Sequence, residues 1–70
     1  MTYEIIREIK NSCPNNQMRD IFFFEEDITD VDAWIRQKEP GATEYIREDV
    51  TDGIRFTVRS SDLTTVYTLS

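Results

Sequence analysis

The chain has 70 residues, enough for one domain (1–70), and its 8 basic against 14 acidic residues leave a formal charge of −6. It has one cysteine and no histidine. This excludes an internal disulfide, the usual zinc sets and the Ser-His and Cys-His nucleophile pairs.

The first predicted element is a strand over Tyr3–Ile9. Tyr3, Ile5 and Ile9 alternate with Glu4, Glu8 and Lys10, while Ile6 and Arg7 break the pattern. The run Asn11–Asn16 is rich in turn formers and reads as a loop. A second strand, Met18–Glu26, holds Ile21-Phe22-Phe23-Phe24 in succession. It is apolar on both faces, which predicts a place in the middle of a sheet or at an interface.

Thr29 or Asp30 can cap a short helix in which Val31, Trp34, Ile35 and Lys38 fall at helical spacing. Pro40-Gly41 stops it. So short a helix does not hold alone, and Trp34 is its anchor on the sheet.

Three more strands follow, near Thr43–Val50, Ile54–Arg59 and Leu63–Leu69. A loop over Thr51-Asp52-Gly53 with a left-handed Gly53 sets Val50 opposite Ile54 and Ile46 opposite Val58. That register gathers five apolar residues on one face, at the expense of Glu48 opposite Phe56. The other face then carries Tyr45, Arg47, Arg55, Thr57 and Arg59, with Asp49 opposite Arg55. A turn centred on Ser61-Asp62 brings Leu63, Thr65, Tyr67 and Leu69 to the apolar side. The expected fold is α+β in the order ββαβββ. It is a two-layer sandwich with a mostly antiparallel sheet of about five strands and one short helix packed on one face. The strand order within the sheet is not readable.

A domain of this size buries only about 60% of its unfolded surface. With 39% hydrophobic residues the core is thin, or a partner completes it. No apolar run is long enough for a membrane helix, and Met1–Glu4 lacks the start of a signal peptide. The expected setting is the cytoplasm, with no membrane partner.

The charge is concentrated. Asp20, Glu25, Glu26, Asp27, Asp30 and Asp32 fall in a stretch without Lys or Arg up to Ile35, and equal the net charge of the chain. Carboxylates suit a helix start; they also suit docking of a basic protein. Asp27, Asp30 and Asp32 have the wrong spacing for a calcium loop. Glu25 and Glu26 are strand neighbours that point to opposite faces, so they do not form a catalytic pair. Cys13 has no histidine to serve as base and reads as structural. No cofactor, metal or catalytic residue is expected.

Two binding readings remain. In the first, the chain is a small non-enzymatic protein-interaction module. It contacts an unidentified protein, or a second copy as a homodimer, through Ile21 and Phe23 and through Glu25, Glu26, Asp27, Asp30 and Asp32. In the second, Tyr45, Arg47, Arg55 and Arg59 bind nucleic acid or another anion. The overall acidity disfavours nucleic acid without excluding it, since general DNA binding relies on excess Lys and Arg.

Overall fold

The computed structural model describes residues 1–11, 19–60 and 63–70. Cys13, most of the predicted 11–16 loop and the Ser61-Asp62 turn lie outside the described residues. In chain order the elements are β1 (Thr2–Asn11), β2 (Arg19–Asp27), α1 (Val31–Lys38), β3 (Glu44–Val50), β4 (Gly53–Ser60) and β5 (Leu63–Leu69). They make a five-stranded sheet of order β2-β1-β5-β4-β3 with antiparallel neighbours throughout. With one short helix among the described residues, the fold is α+β.

Side-chain alternation follows from the ladders. Ile5 pairs with Phe24 and with Leu69, Phe56 with Tyr67, and Val58 with Thr65. These residues share the face on which α1 lies. Ile5, Ile28, Trp34, Ile35, Phe56, Val58, Tyr67 and Leu69 form one buried cluster there. The opposite face carries Ile6, Phe23, Val66, Thr68, Arg55 and Thr57, and no described element covers it.

The helix is held at both ends. Asp30 is its N-cap, and its carboxylate accepts from the Ala33 N–H at 3.2 Å. Trp34 and Ile35 are buried. The Trp34 ring meets Tyr67 edge-on at 5.6 Å between centroids, a favourable aromatic geometry.

The β3–β4 register differs from the expected one. Val50 pairs with Gly53, so the loop is two residues, Thr51-Asp52. Tyr45 stands opposite Val58, Arg47 opposite Phe56 and Asp49 opposite Ile54. The whole of β3 is therefore turned over relative to the expectation. The helix is the reason. It gives Tyr45 an acceptor, the Glu39 carbonyl, and gives Arg47 a carboxylate, Asp32 at 2.9 Å. Arg47 also lies over the Phe56 ring, 5.9 Å from its centroid. Counting apolar residues favours Ile46 and Val50 inward, but polar partners on the helix decide for Tyr45 and Arg47.

Gly53 is not a left-handed loop residue; it opens β4. Its necessity is steric. A Cβ there would sit 1.9 Å from the Leu69 carbonyl oxygen, a backbone atom that the ladder holds in place. Gly53→Ala is expected to destabilise the fold by at least about 1–3 kcal/mol, the usual cost of overpacking. Urea unfolding checks this, and an unchanged midpoint would show that the β4–β5 ladder yields at this point.

Candidate functional site

Two places stand out: the outer edge of β2, and the C-terminal end of α1. Of the two places that its two-sided apolar run predicts, the middle of a sheet or an interface, the first does not hold: β2 is an edge strand. One face of the run has partial cover. Phe24 packs against the core and Phe22 lies beneath the Arg7 guanidinium, 5.8 Å from its ring centroid. The other face is open. Phe23 is 74% exposed and Ile21 45%, with exposed Ile6 directly opposite Phe23 on β1.

The edge also offers backbone groups. Met1 and Ile28 form a hydrogen-bonded pair, with the Ile28 N–H donating to the Met1 carbonyl at 2.8 Å. Such pairs alternate along an antiparallel ladder. With the β1–β2 register this turns the N–H and C=O of Ile21, Phe23 and Glu25 away from β1, toward the open edge. Depressions flank the strand on both faces. One of about 320 Å³ lies between Ile6, Phe23 and Glu25, and one of about 350 Å³ between Arg7, Phe22, Phe24 and Lys38.

Most of the acidic segment has local partners. Asp30 caps the helix and Asp32 pairs with Arg47. Asp27 pairs with the Met1 ammonium at 2.7 Å, and Glu26 faces Lys38 at 3.9 Å. Glu25 takes no ion pair among the described residues. The six carboxylates are thus dispersed along an edge, a connection and a helix start. Exposed pairs of this kind each contribute about 0–1 kcal/mol.

The arginine cluster does not assemble as expected. Because β3 is turned over, Tyr45 and Arg47 lie on the helix face, while Arg55 and Arg59 lie on the outer face. Each arginine also stands near a carboxylate: Arg55 at 3.7 Å from Glu48, Arg59 at 3.7 Å from Glu44, and Arg47 between Asp32 and Asp49. Local neutralisation of this kind leaves little excess positive field for an anion.

Sequence reasoning missed the second place, which centres on Glu39. Its N–H donates to the Ile35 carbonyl at 3.0 Å and closes the helix. Its own carbonyl accepts from Tyr45. Its carboxylate accepts from the Tyr67 hydroxyl at 2.6 Å and from Arg7 at 3.4 Å. One residue therefore ties α1 to β1, β3 and β5. Burial raises the Tyr67 pKa above its ordinary value, and the hydrogen bond to Glu39 adds to this. The one signal in the sequence was Arg7, a charge at an inward position of β1.

Among the described residues no group of three or more His, Cys, Asp or Glu side chains is placed to hold a metal. No described helix is long and apolar enough to cross a membrane. Comparison with protein-family models, with curated proteins and with solved structures finds no match to this chain.

Proposed function

We propose that this chain is a small non-enzymatic protein-interaction module that binds through the open edge of β2 and the adjoining outer face of the sheet. The architecture is read as a two-layer ββαβββ sandwich in which α1 covers one face and a partner covers part of the other. One observation carries the reading: Phe23, Ile21 and Ile6 stand together and exposed beside the outward-facing backbone groups of an edge strand. A contiguous apolar patch is typical of an association site, and an open strand edge is a template for a further strand.

The two edges support the choice. β3 is bordered by exposed Glu44, Arg47, Glu48 and Asp49, the kind of charges that discourage edge pairing. The middle of β2 has no such guard.

Phe23→Ser tests the reading. The side chain is mostly in solvent, so stability is expected to stay within about 0.5 kcal/mol. Capture of a partner by the immobilised chain is expected to be lost. Capture equal to that of the unsubstituted chain would overturn the proposal.

A further inference from the structure

The geometry points to a second copy of this chain as the occupant of the β2 edge, joined strand to strand as an antiparallel pair centred on Phe22. This rests on the reading of β2 as the contact surface and names its partner. Residues with outward N–H and C=O groups must pair with residues of the same kind, here Ile21, Phe23 and Glu25. Few registers satisfy that. Centred on Phe23, the pairing sets Ile21 against Glu25 of the second copy. Centred on Ile21, it leaves Phe23 opposite Arg19. Centred on Phe22, it sets Ile21 against Phe23 of the second copy, Phe23 against Ile21, and Phe22 against Phe22. Only that register gives all three an apolar neighbour. It is also the isologous arrangement commonest among homodimers.

The result is a continuous sheet with both helices on the same side, since a two-fold axis through the junction runs perpendicular to the sheet. Phe22 faces its copy on the helix side. Ile21 and Phe23 interleave on the outer side, next to Ile6. The Glu25–Asp27 ends fall at opposite ends of the paired segment.

Charge makes a distinguishing forecast. Each copy carries −6, and much of it flanks the junction. Salt screens that repulsion, so dimerisation is expected to tighten as salt rises. Binding of a basic partner at the same edge would weaken instead.

The register is tested by cross-linking in a Cys13→Ser background. In a non-hydrogen-bonded antiparallel pair the Cα atoms lie about 4.5 Å apart, within disulfide reach. Phe22→Cys is therefore expected to give a covalent dimer under mild oxidation, and Glu25→Cys none. Sedimentation of the unsubstituted chain is expected to give twice the monomer mass, more completely at high salt, and Phe23→Ser to return it to monomer. A monomer at high concentration in both salts overturns the second copy as partner. Cross-linking of Glu25→Cys in preference to Phe22→Cys overturns the register centred on Phe22. If the chain is monomeric while Phe23→Ser still abolishes capture of another protein, the second copy is wrong and the β2 contact surface stands. If both fail, the surface itself is wrong.

Discussion

Phe56→Ala is expected to remove a large fraction of the folding stability of the chain. Phe56 is 2% exposed and sits on β4, opposite Tyr67 on β5 and Arg47 on β3. It belongs to the cluster that holds Trp34 and Ile35 of α1 against the sheet. Deleting a buried phenylalanine ring typically costs about 3–5 kcal/mol, through lost transfer energy and the cavity left behind. Typical stability of about 0.05–0.15 kcal/mol per residue gives a chain of this length roughly 3.5–10 kcal/mol in all. The loss is thus a large fraction of the total. There is little redundancy, because the core is one layer of side chains between a sheet and two turns of helix. Equilibrium urea unfolding followed by circular dichroism measures the loss. A shift below about 1 kcal/mol would mean that the core relaxes around the gap, against the partial collapse usual for such sites. Ile46→Ala on the outer face is the matched control. Ile46 is only half-buried, and its loss is expected to be much smaller.

That contrast bears on what could be read before the structure. The five strands and the helix were legible, because period-two alternation and helical spacing are local signals. The inward set on β4 and β5 was legible for the same reason, since Ile54, Phe56, Val58, Thr65, Tyr67 and Leu69 alternate cleanly. The face of β3 was not. Its apolar residues Ile46 and Val50 are outweighed by contacts that Tyr45 and Arg47 make with α1, and those depend on where the helix crosses. The position of β2 was not legible either. An apolar run on both faces says that both faces want cover; it does not say that another strand of the same chain supplies it. The run itself marks Ile21 and Phe23 as contact candidates. The direction of their backbone groups needed the β1–β2 register. The Glu39 junction was the least legible. Arg7, Glu39 and Tyr67 are far apart in the chain, and only Arg7 departs from its local pattern.

Glu39 should therefore carry the second large effect. Glu39→Ala removes the acceptor of the Tyr67 hydroxyl and the partner of Arg7 together, while Arg7 Nε is already buried without a hydrogen-bond partner. A hydrogen bond to a charged group is worth about 1.5–3 kcal/mol, and leaving a buried donor unpaired adds to the cost. The expected loss is roughly 2–4 kcal/mol on those grounds, smaller for Glu39→Gln, which keeps an acceptor. Tyr67 gives this junction a pH signature. It is 1% exposed, and burial first, then Glu39, holds its proton in the folded state. The folded pKa lies above the unfolded one, so this stabilisation is complete below about pH 10 and is lost as pH climbs toward the folded value. Across that window stability is expected to fall by about 1.4 kcal/mol per pH unit, because the unfolded tyrosine has ionised and the folded one has not. Tyr67→Phe removes the ionisable group and with it this slope, although it lowers stability at neutral pH. Urea unfolding of both proteins at neutral and alkaline pH makes the comparison. Parallel profiles would show that burial and Glu39 together do not hold the Tyr67 proton above its ordinary range in the folded state.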